Sequence, residues 1–176
     1  MRILLAIGHP GHVHHFKNFI WEMESKGHVI KVLAVDKEMV RSLLEIFDIP
    51  YTLVMNSGKN LSEHLINMIS SDYKVLKIAK EFQPDIFVGR ASPFLAHISA
   101  IQRKPYIAFS DTEHAKLIKW VTFPFADSIC TPSCFSMDVG NKHIRYHGYT
   151  ELAYLHPNRF TPNPAVLTEI GLTEGD

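Results

Sequence analysis

The chain has 176 residues, 46% hydrophobic and 20% charged, which suits one soluble globular domain with a sizeable core and a short remainder. Its 18 basic and 18 acidic residues cancel, which argues against a broad nucleic-acid or anionic-membrane surface. No apolar run reaches membrane-spanning length, and the opening MRILLAIGHPG lacks a signal-peptide cleavage pattern.

In chain order, RILLAI (2–7) reads as a buried strand that stops at Gly8. Val13, Phe16, Phe19, Ile20 and Met23 then recur at helical spacing, with Gly27 placed to end the helix. VIKVLAV (29–35) predicts a second strand, KEMVRSLLEIF (37–47) a second helix, and YTLVM (51–55) a third strand before the loop NSGKN. A long helix fits residues 61–82, with Leu65, Ile69, Leu76 and Phe82 on its buried side. DIFVG (85–89) predicts a strand, and Ser92 and Pro93 supply the cap and first turn of another helix. PYIAFS (105–110), DSICTPS (127–133) and HIRYHG (143–148) complete the strands. Alternating strands and helices imply a Rossmann-like α/β domain, a parallel sheet with helices on both faces. After Tyr149 the character changes: Pro157, Pro162 and Pro164 precede a short helical pattern and a polar end. This divides the chain into a domain over residues 1–156 and a linker over 157–176, running toward a second domain absent from the chain.

Ligands of such sheets bind at the carboxyl ends of the strands. Three of those ends carry reactive side chains: GHPGHVHH after the first strand, GRASP after the fourth, and SDTEHA after the fifth. In the first loop, Gly8 and Gly11 allow positive φ and close backbone approach, and the free N–H groups of the following helix suit an anion. His9 and His12 are its candidate ligand contacts. The loop matches neither GxGxxG nor Walker A, so nicotinamide or ATP binding has no motif support, and no cofactor is implied. His14 and His15 point about 100° apart on the helix, so the four histidines do not all converge. Metal binding therefore ranks below a polar ligand contact. Cys130 and Cys134 are too few for a disulfide framework or a zinc site and read as buried thiols of a reducing, cytoplasmic compartment.

Arg90 is the strongest anion-clamp candidate, because its fork can meet phosphate or carboxylate bidentately; the alternative is a salt bridge to Asp111 or Glu113. Asp111, Glu113 and His114 can supply a base, an acid or a hydroxyl acceptor. Asp111 or Thr112 can equally cap a helix, with Glu113 in its first turn.

HPGHVHHFKNFIWEMESKGH, PDIFVGRASPFLAHISA, PYIAFSDTEHA through FPFADSICTPSCF, and YHGYTELAYLHPNRFTPNPAVL together resemble the DUF354 family, in order and over nearly the whole chain. That family is similar to the two-domain GT-B glycosyltransferases and the non-hydrolysing UDP-N-acetylglucosamine 2-epimerases. The resemblance implies the N-terminal half of a GT-B-type architecture, acting on a nucleotide sugar such as a UDP-sugar and facing a second domain that holds the nucleotide. It makes His9, Asp111 and Glu113 the candidate catalytic residues. Gly8, Gly11, His12, Arg90, Ser92 and His114 become the candidate substrate contacts. The epimerases carry Gly-Asp where this chain has Gly89-Arg90, and this exchange of acid for base favours glycosyl transfer to an acceptor over epimerisation. A non-catalytic binding or assembly module with the same fold is the third reading. The face a second domain would cover leaves room for a homo-oligomer.

Overall fold

The computed structural model describes residues 1–37, 39–56, 61–114 and 116–172, with the backbone alone for 56, 61–69 and 116–118. Residues 57–60 of the loop NSGKN and the side chains of Leu65 and Ile69 lie outside what is described. A seven-stranded sheet runs in the order β3-β2-β1-β4-β5-β6-β7. Its strands are β1 (Arg2–Ile7), β2 (Val29–Asp36), β3 (Tyr51–Asn56), β4 (Ile86–Arg90), β5 (Tyr106–Phe109), β6 (Ser128–Pro132) and β7 (His143–Tyr146). Every neighbouring pair is parallel. The order reverses between β1 and β4, which opens a crevice at their carboxyl ends.

The strands read as apolar runs because both faces are covered. In β1, Leu4 and Ala6 enter one core, with Phe87, Leu95 and Tyr106. Ile3, Leu5 and Ile7 enter the other, with Val13, Phe16 and Leu44. Helices α1 (Pro10–Ser25) and α2 (Val40–Ile46) supply the second core. Helices α3 (Leu61–Phe82) and α4 (Pro93–Gln102) supply the first. Gly27 ends α1 as its spacing predicts: at φ +79° its N–H donates to the carbonyl of Glu24, and that of His28 to Met23. The second helix begins at Val40, later than predicted. A further helix, α5 (Lys116–Thr122), precedes β6 and begins later than a cap at Asp111 or Thr112 would place it. Cys134 is exposed and Cys130 only half-buried, against the expected burial of both thiols, because Cys134 lies beyond the end of β6. Among the described residues, no helix is long and apolar enough to cross a membrane.

The segment after β7 folds back on the domain. Its short helix α6 (Leu152–Leu155) lies against α1, where the Asn18 amide donates to the carbonyl of Ala153 at 2.8 Å. Arg159 then meets the carboxylate of Glu22 at 2.9 Å. A last helix, α7 (Ala165–Glu169), carries no buried residue.

Candidate functional site

The ends of β1, β4 and β5 meet in one cleft. A cavity of about 410 Å³ is lined by His9, Gly11 and His12 from the first loop, Arg90 from β4, and Asp111 and Thr112 from the loop after β5. Thr150, Glu151 and Tyr154 close it from the returning segment. A smaller cavity of about 160 Å³ shares His12, Arg90, Asp111 and Thr112 and adds Ser110 and Lys119. Most of the predicted site residues therefore converge.

The first loop folds differently from the expected cradle. Neither Gly8 nor Gly11 adopts positive φ, so their left-handed freedom is not used. The amides expected to face an anion are also occupied. Pro10 has none, Gly11 N–H donates to His9 Nδ1 at 3.1 Å, and Gly8 N–H donates to His12 Nδ1 at 3.2 Å. His12 N–H closes back on the carbonyl of His9 at 2.9 Å. The rings of His12 and His9 thus take the amides of Gly8 and Gly11. Because each Nδ1 accepts a hydrogen bond, the neutral ring carries its proton on Nε2, and each imidazole is a donor at that nitrogen.

His12 stays neutral. Burial, reinforced by the positive charge of Arg90, pushes its pKa down from 6.5 to about 3. His15 falls to about 4 for the same reasons. The other two histidines leave the cleft: His14 packs between Phe47 and Tyr154, and His15 stacks on Phe16 with Phe109 at its edge.

Arg90 is engaged by Asp111 in an ion pair across the ends of β4 and β5, so the salt-bridge alternative is the one observed. Burial works hardest on Asp111 and would raise its pKa. The Arg90 hydrogen bond and charge, with the hydroxyls of Thr150 and Thr112, outweigh it and leave the pKa below its ordinary value. Thr150 donates to Oδ2 of Asp111 at 3.0 Å, Thr112 to Oδ1 at 3.1 Å, and Tyr146 OH lies 3.2 Å from Thr150 Oγ1. Asp111 therefore does not cap a helix; α5 starts beyond it, at Lys116. Arg90 is held by a turn in which Ala91 sits at φ +40°, a left-handed conformation that favours glycine.

Glu113 lies outside both cavities. Its two oxygens accept from the Ser136 amide at 2.7 Å and the Ser136 hydroxyl at 2.8 Å, which ties it to the loop after β6. His114 is exposed and lines neither cavity. Ser92 occupies the N-cap position of α4 without a side-chain capping bond. Its amide donates to Tyr106 OH at 2.9 Å, while its buried hydroxyl has no partner among the described residues. Among the described residues, no group of three or more His, Cys, Asp or Glu is placed to hold a metal ion.

Lys119, Thr150, Glu151 and Tyr154 escaped the sequence reading. Lys119 is nearly buried, and its ammonium donates to the Glu113 carbonyl and to Met137 Sδ at one wall of the smaller cavity. The only signal for it was a lysine within an apolar run, WVTFPF following it.

This sheet order, with a polar cleft at the β1/β4 switch, is the architecture of one half of GT-B glycosyltransferases and UDP-GlcNAc 2-epimerases. The UDP-GlcNAc 2-epimerase of Neisseria meningitidis, bound to UDP-GlcNAc, superposes with a TM-score of 0.67 at 16% identity, over 88% of this chain and 49% of that one. A second UDP-N-acetylglucosamine 2-epimerase gives 0.71 at 12% identity, over 97% and 55%. The Streptomyces sp. SF2575 glycosyltransferase SsfS6, complexed with thymidine diphosphate, gives 0.59 at 16% identity, over 82% and 52%. The chain thus spans about half the length of these proteins, and at such identities the likeness shows the fold. No curated protein matches it in sequence. The chain belongs to the family described as "Protein of unknown function (DUF354)", whose model matches residues 1–175.

Proposed function

We propose that this chain is the acceptor-side domain of a GT-B-like enzyme that processes a nucleotide sugar, and that its reaction is glycosyl transfer. In this reading residues 1–156 form the acceptor domain, 157–176 lead to a second domain, and that domain carries the nucleotide. The observation that carries the proposal is the meeting of His9, His12, Arg90 and Asp111 in one cavity at the strand switch. Nε2–H donors and the Arg90 guanidinium suit phosphate or developing negative charge, and the Asp111 carboxylate suits a sugar hydroxyl. The smaller lobe, with Arg90, Lys119, Ser110 and Thr112, has the size and donors for a phosphate.

The carboxylates favour transfer over epimerisation. Removing a sugar C2 proton needs a free base, whereas Asp111 is paired with Arg90 and both oxygens of Glu113 are bound by Ser136. The full-length gene product, incubated in D2O with a panel of UDP- and TDP-sugars, tests this reading. Nucleoside diphosphate release that depends on an added acceptor, without deuterium at C2, is the expected result. Acceptor-independent deuterium incorporation would establish epimerisation, and neither reaction with any sugar would leave a binding module.

A further inference from the structure

A separate cavity of about 390 Å³ lies on the other side of α1's second turn, within the size range of small-molecule sites. Phe16 and Phe19 of α1, Val88 of β4, Phe109 of β5 and Leu152 of α6 give it apolar walls. The charges at its rim cancel, because Glu22 and Arg159 pair with each other. Of its polar lining groups, Asn18 donates to the Ala153 carbonyl and His156 accepts from the Asn158 amide, which leaves His15. This ring is 9% exposed, makes no hydrogen bond among the described residues, and has its Nδ1 buried without a partner. Burial and the nearby Arg90 keep it uncharged at neutral pH. A buried imidazole without a protein partner is unusual, since buried polar groups are nearly always bonded.

The cavity meets the smaller lobe of the polar cleft at one shared side chain. Phe109 borders both this cavity and the lobe that holds Arg90, Ser110 and Asp111. His15 lies close enough to feel the charges of Arg90 and Asp111.

We infer that this cavity receives an uncharged apolar group, an alkyl chain or aromatic ring, covalently attached to the sugar or hydroxyl acceptor bound at Arg90 and Asp111. An ether, ester or hydroxyl at the junction would meet the His15 ring at Nε2, because Nδ1 has no surface open to a ligand. The acceptor is thus amphiphilic, with its polar end at the β4 and β5 termini and its apolar end between α1 and α6. The inference rests on the acceptor reading above.

Methyl and n-octyl β-D-glucosides and β-D-N-acetylglucosaminides, titrated below their micelle concentrations and followed by amide NMR, test it. The octyl compounds should bind at least about tenfold tighter than the methyl ones, given the burial of several methylenes. They should shift His15, Phe19 and Leu152 as well as Arg90 and Asp111. Ala153→Phe, on the surface helix at the cavity wall, should return octyl affinity to the methyl level; Phe19→Ala, which enlarges the cavity, should leave octyl binding above methyl. Equal affinity of octyl and methyl compounds at the Arg90–Asp111 cleft would overturn the apolar site and leave the acceptor reading intact. Octyl shifts confined to α1 and α6, with the cleft silent, would overturn the acceptor reading and support the apolar site alone. An octyl gain that survives Ala153→Phe, or no binding by either series, would overturn the inference.

Discussion

Arg90 and Asp111 close an ion pair across the carboxyl ends of adjacent strands, and that pair forms the wall shared by both lobes of the polar cleft. Neither side chain is fully exposed, so each depends on the other for neutralisation.

Arg90→Ala leaves Asp111 half-buried and without its main partner. The Asp111 pKa should rise, because the burial that opposes ionisation remains while the guanidinium is gone. Stability should fall by roughly 1–3 kcal/mol at neutral pH. Carboxyl carbon NMR titration and urea unfolding measure both effects; an unmoved Asp111 pKa would show that the pair does not control it.

His12 and His15 stay neutral in the fold but titrate near 6.5 when unfolded. The unfolded chain therefore takes up more protons, and stability falls with pH from about 6.5 down toward 4 and then 3. Each ring contributes a slope of up to about 1.4 kcal/mol per pH unit. His15→Phe should lower the slope between pH 6.5 and 5 by up to about 1.4 kcal/mol per pH unit, read from urea unfolding at several pH values. An unchanged slope would place that dependence elsewhere.

Ala91 holds φ +40° between Arg90 and Ser92. Ala91→Gly should relieve the left-handed strain and raise stability by about 1 kcal/mol, whereas Ala91→Val should lower it. Thermal unfolding checks the order of the three proteins.

Thr150 reaches Asp111 from beyond β7 and is itself contacted by Tyr146. Thr150→Val preserves the shape and removes the hydroxyl. It should cost about 1 kcal/mol and raise the Asp111 pKa, which the same NMR titration reads.

The strands were legible because parallel strands buried on both faces are near-continuous apolar runs, as in RILLAI and VIKVLAV. Gly27 was legible because only its position in the chain was needed to end α1. His9, His12, Arg90 and Asp111 were legible because topology alone brings the carboxyl ends of their strands together. Lys119 and Thr150 were not legible, because their place depends on how α5 and the segment after β7 fold back. A four-residue helix such as α6 has too few turns to show a period. The expected backbone cradle failed for a local reason: the two histidine rings reach the amides of Gly8 and Gly11 first.

The most direct measurement is the affinity of glucose 1-phosphate and N-acetylglucosamine 1-phosphate for the chain, by calorimetry, in wild type, Arg90→Ala and Asp111→Asn. Binding by the wild type, weakened at least about tenfold in both variants while each remains folded, is the predicted result. Binding that neither substitution changes would contradict the assignment of the ligand to this cleft, and so would no binding of either sugar phosphate.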